Sequence, residues 1–276
     1  MKLELKRRMG RLGRALKFAA HGSSAKEFFR LFYYEGLKPA LVFRGWTGFR
    51  PGRILSFTLK AHDGRIFQAR ARDNGMDVGT LAELFVRQHQ MIPPELPPFD
   101  FKVFYDLGAN IGAASLYFFR QNPQARFFGF EPLPANYEIC ALNYRSLGNS
   151  AVFPWAVAAR SGTTIFECQN DPRGGRLASS PANASLTTTQ RLNIQVVSID
   201  DLVRQKRLPP PDFLKIDVEG AELEVLAGME EQWPGIKRIF IETHGPELNE
   251  RVIASLKQHG FKIYETEPHV IWADRV

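Results

Sequence analysis

The sequence predicts an α/β fold: a mostly parallel sheet covered by helices on both faces, closed by an antiparallel C-terminal strand. Three observations carry this. From Phe101 onward, short apolar runs ("KVFYDLG", "RFFGFEP", "DFLKIDV") alternate with longer stretches such as "IGAASLYFFRQN" and "PELNERVIASLKQHG", the pattern of strands joined by crossover helices. A run such as "FLKI" is apolar around a single lysine, as a strand covered on both faces should be. The last two runs, "FKIYETEP" and "VIWADRV", are joined so tightly that the final strand must run antiparallel.

The bulk numbers agree with this class. The 276 residues are 44% hydrophobic and 12% aromatic, enough for a core, and the length suits one large domain or a domain with an extension. Cys140 and Cys168 show no Cys-x-x-Cys or Cys/His spacing, which supports neither a disulfide framework nor a zinc module. The net charge of +7 is uneven: residues 1–50 hold 12 Lys/Arg against 3 Asp/Glu, and the remainder 24 against 26. Basicity confined to the N-terminus argues against a nucleic-acid footprint. No secretory signal and no apolar run near the ~20 residues of a membrane span is visible, so a cytoplasmic protein is expected.

Taken in order, residues 1–20 place Leu5, Met9, Leu12, Leu16 and Ala19 on one stripe with Lys6, Arg7, Arg14 and Lys17 mostly off it. Such a basic amphipathic helix suits peripheral contact with the inner face of a membrane, or docking on its own domain. Residues 53–71 read as a hairpin about His62-Asp63-Gly64, followed by a short helix, "DVGTLAELFVRQHQ", and the proline-rich connection "MIPPELPPF". We therefore divide the chain into an N-terminal extension, 1–100, and a main domain, 101–276. Within the latter "AVFPWAVAA" reads as one strand, and 160–198 as an irregular segment with β-like pieces. The stretch 170–189 looks like a lid or acceptor loop, in which Arg173 or Arg176 could meet an anionic acceptor.

In open α/β sheets ligands bind beyond the carboxyl ends of the strands. The residues there are Asp106, Glu131, Trp155, Asp217 with Glu219, and Glu242 with His244. The first strand enters a glycine turn, "YDLGANIGAAS", with Asn110 where a dinucleotide fingerprint has its second glycine. Asp106 beside that turn disfavours a pyrophosphate and favours a cationic ligand. Glu131 can accept from both hydroxyls of a ribose. An adenosine with a cationic, phosphate-free tail describes S-adenosylmethionine. A nucleotide-dependent oxidoreductase is the weaker alternative. Trp155 could stack on adenine or belong to the core. Asn136 and Asn143 read as surface or capping residues, and Glu224 as a solvated one. Glu222 suits a helix N-terminus and could face the site.

"YDLGANIGAAS", "GFEPLPANYE", "FLKIDVEGAELEVLAG" and "IFIETHG" occur in the order seen in FkbM-type methyltransferases, and over about 101–276 the chain resembles that family. The resemblance implies a class I, Rossmann-like methyltransferase fold and transfer from S-adenosylmethionine, usually onto oxygen of a sugar or a natural-product scaffold. It implies that Asp106, Gly108, Asn110 and Gly112 hold the methionine end and Glu131 the ribose. For the chemistry, His244 oriented by Glu242, or Asp217 directly, is expected to take the acceptor's proton. A divalent metal on Asp217, Glu242 and His244 is the less favoured alternative.

Overall fold

The computed structural model describes residues 13, 15–17, 19–22, 24–38, 48–168, 175–177, 190–267 and 269–276. Helix α1 (Ala25–Phe32) starts at Ser24, whose hydroxyl accepts from the Glu27 N–H, and runs into a π-helical turn at Tyr33–Leu37. Strands β1 (Arg50–Lys60) and β2 (Ile66–Asp73) form an antiparallel hairpin, and α2 (Met76–Met91) follows. Next come β3 (Val103–Leu107), α3 (Ala113–Gln121), β4 (Arg126–Phe130), α4 (Pro134–Tyr144) and β5 (Ala151–Phe153). A second group is β6 (Trp155–Val157), β7 (Gly162–Cys168), β8 (Gly175–Leu177) and β9 (Gln190–Val197). The chain ends with α5 (Ile199–Arg204), β10 (Phe213–Ile216), α6 (Glu222–Ala227), β11 (Arg238–Glu242), α7 (Pro246–Gln258), β12 (Phe261–Glu267) and β13 (Val270–Arg275).

The main sheet has seven strands in the order β12-β13-β11-β10-β3-β4-β5. Pairs β11-β10, β10-β3, β3-β4 and β4-β5 are parallel, and β13 runs antiparallel to both neighbours. The order reverses between β3 and β10, so the crevice at a switch point lies beyond their carboxyl ends. This is the class I methyltransferase arrangement. Its core follows from the period of two along a strand. Phe104, Phe127, Phe213 and Phe240 point to one face and pack with α2, α3 and the hairpin, including Phe57, Phe67 and Phe85. Their neighbours Tyr105, Phe128, Leu214 and Ile239 point to the other and pack with α5, α6 and α7.

The stretch expected as one strand at "AVFPWAVAA" is two. Pro154 has no N–H to give a ladder and sits at the break. β5 pairs with β4 in the main sheet, whereas β6 pairs with β9 in a separate sheet ordered β6-β9-β7-β8. Helix α5, capped by the Ser198 hydroxyl at the Asp201 N–H, was not foreseen. The expected basic helix at 1–20 falls mostly outside the described residues. Of its described part, Ala15 and Ala19 are buried but Leu16 is 47% exposed, so the packed positions include Ala15, which lies off the expected stripe. No helix among the described residues is long and apolar enough to cross a membrane.

Asn143 is fully buried and not a surface residue as expected. Its Oδ1 accepts from the Arg70 N–H at 2.6 Å, and its Nδ2 donates to Arg70 O at 3.0 Å and to Ile111 O at 2.7 Å. One amide thus joins the edge of β2 to α4 and to the glycine turn after β3. Truncation strands buried backbone groups that have no water to turn to, so Asn143→Ala should lower unfolding free energy by about 2 kcal/mol or more, read from denaturant midpoints.

Candidate active site

The carboxyl ends of β3, β4 and β10 meet at a cavity that opens to solvent. The turn after β3 must pass very close to the end of β10. Gly108 has φ +73°, and a Cβ there would stand 1.8 Å from the Asp217 carbonyl oxygen, so only glycine fits. Asn110 takes the left-handed conformation at φ 52°, and its N–H donates to Glu131 Oε2 at 2.8 Å. The Leu133 N–H donates to Glu131 Oε1 at 2.9 Å. Burial raises the Glu131 carboxyl to about 7, against the pull of those two N–H groups and of Lys215. Leu133, Asn136, Ala156 and Phe166 add largely apolar wall, and Asp217 and Glu219 complete it.

A buried ammonium contacts two residues of the cavity wall, Gly108 and Asp217. Lys215 on β10 is the register partner of Asp106 on β3. Its Nζ is 3.3 Å from Asp106 Oδ1 and 3.2 Å from Asp217 Oδ2, and it donates to Gly108 O at 2.9 Å. Burial alone would lower its pKa, but Asp217 and Asp106 raise it above the ordinary lysine range. Ser115 Oγ donates to Asp106 Oδ2 at 2.8 Å and lies 2.6 Å from Tyr144 Oη.

Beside the cavity, His244 is ringed by carboxylates. Nδ1 lies 2.8 Å from Glu222 Oε1, and Nε2 lies 3.3 Å from Glu219 Oε2 and 3.9 Å from Asp217 Oδ1. Glu222 is completely buried, and its Oε1 also accepts from the Gly220 N–H at 3.0 Å. Burial pushes His244 down, yet the Glu222 hydrogen bond and the Glu219 and Asp217 charges outweigh it and raise the imidazole to about 9. Glu219 holds a left-handed backbone, φ 56°, a conformation uncommon for a non-glycine residue. Its carboxyl is raised to about 7, first by burial, against the pull of His244 and with the push of Asp217, Glu242 and Glu222.

Residues 106–263, more than half of the chain, match the model of the methyltransferase FkbM domain. The chain belongs to the FkbM methyltransferase family. It is similar to methyltransferase sdnD of Sordaria araneosa, 29% identical over 208 residues, 61% of this chain and 76% of that protein. It is 29% identical over 143 residues to hexuronic acid methyltransferase AglP of Haloferax volcanii, 51% of this chain and 56% of that protein. A third relative is 31-O-demethyl-FK506 methyltransferase FkbM of Streptomyces tacrolimicus, 29% identical over 200 residues, 61% of this chain and 75% of that protein. The protein is an S-adenosylmethionine-dependent methyltransferase.

In this FkbM-family chain, Gly108, Asn110, Glu131 and Asp217 line the cavity; Asp106, Gly112 and Trp155 do not. Asp106 is fully buried and is engaged by Lys215 and Ser115. Trp155 stacks on Phe153 at 4.6 Å with Lys206 over its ring; it follows the break at Pro154 and lies in β6, an edge strand of the second sheet. Glu242 ends β11, and the expected pairing with His244 is taken instead by Glu222. Sequence reasoning underrated Glu222, for acids at a helix start are common. It also missed Asn136, which is buried and lines the cavity. Glu224 is half-buried, not solvated. Arg173 lies outside the described residues, and only the backbone of Arg176 is described, in β8.

Two measurements check this electrostatic arrangement. Lys215→Met leaves Asp106 buried without its counter-charge and should cost about 3–5 kcal/mol of stability, read by denaturant unfolding. The folded pKa of His244 lies above its unfolded value, so its stabilisation is complete below pH 6.5 and lost as pH rises through about 9. The stability gap between wild type and His244→Gln should therefore be large near pH 6 and small near pH 10.

Proposed function

We propose that the chain transfers a methyl group from S-adenosylmethionine onto a hydroxyl oxygen of a sugar, glycan or glycolipid, with the cofactor in the cavity and the acceptor beside His244. The observation that carries this is the charge of the wall. Among its described residues are Glu131, Asp217 and Glu219, and no Lys or Arg. Such a wall fits a cationic ligand without phosphate and disfavours a pyrophosphate-bearing dinucleotide. Glu131 would hold the ribose, the turn at Gly108 and Asn110 the methionine end. The sugar acceptor draws support from the relative named a hexuronic acid methyltransferase, and oxygen as the target from the relative named for 31-O-demethyl-FK506. The basic N-terminal residues support work in the cytoplasm beside an anionic membrane surface.

When bound, S-adenosylmethionine supplies a methyl group on a sulfonium. The residues beside it must hold an acceptor oxygen at about 3 Å in line with the bond that breaks, and accept the hydroxyl proton as the new carbon–oxygen bond forms. An imidazole raised to about 9 is already protonated at neutral pH, so His244 serves better as the charge that holds Glu219 and Asp217 in place. Glu219, raised to about 7, is matched to the operating pH of a general base and takes that role in place of His244.

The pH profile of kcat/KM should be bell-shaped, rising through about 7 as Glu219 ionises and falling through about 9 as His244 loses its proton. Glu219→Gln should cost roughly 10²–10⁴-fold in kcat and abolish the acid limb. Wild-type activity in Glu219→Gln would return the proton to Asp217 or His244. Transfer of labelled methyl into glycan, recovered as a methyl ether after hydrolysis, tests the acceptor; label found only in protein or nucleic acid contradicts it. A second reading has one observation in its favour: Asp217, Glu219 and His244 each offer a ligand atom within 4.8 Å of the others. Loss of activity on exhaustive chelation, restored by a divalent ion, would make these three metal ligands.

A further inference from the structure

The N-terminal hairpin reaches the wall of the cavity through one arginine. Arg72, near the end of β2, donates from NH2 to Asn136 Oδ1 at 2.8 Å and from NH1 to Ala135 O at 3.3 Å. Asn136 lies in the first turn of α4, is buried and lines the cavity. The guanidinium is itself fixed. Asp77, buried at the start of α2, takes Arg72 Nε at 2.8 Å and NH2 at 3.0 Å, a two-pronged contact that sets the plane of the fork. Asp77 Oδ2 also accepts from the Arg72 N–H at 2.9 Å, and Oδ1 from Asn74 Nδ2 at 3.0 Å.

We propose that Arg72 is a positioning residue for the cofactor, acting through Asn136, so that the N-terminal extension forms part of the S-adenosylmethionine site. The proposal rests on the cavity being that site. An amide side chain can present its oxygen or its NH2. With Oδ1 committed to a guanidinium, which can only donate, the amide cannot flip without setting donor against donor. The side chain of Asn136, which lines the cavity, is thereby fixed in place by the guanidinium. The same strand is tied to the other side of the site. Arg70 NH1 donates to Leu142 O at 2.9 Å, and the Arg70 backbone is clasped by Asn143, which also donates to Ile111 O in the glycine turn. β2 thus touches both α4 and the loop that the cofactor would contact. A lysine at position 72 would keep the charge against Asp77 but lose the fork that reaches Asn136.

The test is a double-mutant cycle on cofactor affinity, with S-adenosylmethionine and S-adenosylhomocysteine titrated calorimetrically into wild type, Arg72→Met, Asn136→Ala and the double variant. Each single change should weaken binding roughly tenfold, the scale of one hydrogen bond to a charged or buried group. The double variant should be no weaker than Asn136→Ala, because Arg72 has nothing left to act on. In turnover the loss should appear in KM for the cofactor more than in kcat. Losses that multiply in the double variant, or wild-type affinity in Arg72→Met, overturn the proposal while leaving the cavity assignment standing. Unchanged affinity in Asn136→Ala, with wild type binding normally, overturns the cavity assignment and the proposal with it. If Arg72→Met does not fold, Arg72→Lys enters the same cycle.

Discussion

A buried ammonium between two strand-end carboxylates is the constraint on which the site depends. Lys215 and Asp106 face each other across the β3-β10 pair, where the strand order reverses. Neither charge could be buried alone at tolerable cost. Together they are held by further partners: Gly108 O for the ammonium, Ser115 for the carboxylate, and Tyr144 behind Ser115. Tyr144 in turn needs Gly129, where a Cβ would stand 2.4 Å from its hydroxyl. The bare glycines at 108 and 129 and the polar chain between β3, α3 and α4 are thus parts of one requirement, that a lysine can be charged inside the sheet.

That requirement shapes what happens above it. One ammonium serves both Asp106 and Asp217, so the carboxylates outnumber the cation. Glu219, Glu222 and Glu242 add to the excess at the ends of β10 and β11. A protonated His244 reduces it, and the three acids around its ring hold that proton to about 9. Desolvation raises the carboxyls of the buried Glu131 and the partly exposed Glu219 both to about 7, yet their surroundings differ. Glu131 is fastened by two backbone N–H groups, whereas Glu219 is restrained by an imidazole on a strained backbone. The first is held in place, and in the proposed reaction the second exchanges a proton with the acceptor beside it.

Much of this was legible in the sequence, because strand–helix alternation places strand ends, and strand ends place acids. Asp106 is the penultimate residue of its strand, Glu131 and Asp217 directly follow theirs, and Glu242 ends its own. What was hidden were the distances across the fold. Whether Asp106 faces a ligand or a lysine depends on the register of β3 against β10, which no local pattern encodes. Glu222 looked like an ordinary helix-start acid until His244 was found 22 residues away in sequence and 2.8 Å away in space. Asn136 and Asn143 looked like surface residues because their partners lie in the hairpin, more than 60 residues earlier. Pro154 is visible in the sequence and marks the break between β5 and β6, and Trp155, just after it, does not line the cavity.

The reassignment of Asp106 alters the electrostatic argument for the cofactor. Read along the chain, Asp106 was the acid that would meet a cationic ligand. In the fold its charge is paired with Lys215, and it is buried and does not line the cavity. Any attraction for a sulfonium and an ammonium must come from the acids that line the cavity, Glu131, Asp217 and Glu219. Asp217 shares Lys215 and keeps its other oxygen 3.9 Å from His244, so much of its charge is balanced before a ligand arrives. Glu219, like Glu131, carries an adjustable charge: its carboxyl is raised to about 7 and can ionise in response to a neighbouring cation. In the proposed reaction, binding a cation beside Glu219 would favour its ionised form, the form that can take a proton from an acceptor hydroxyl. Cofactor binding and base activation would then be one electrostatic event at one residue.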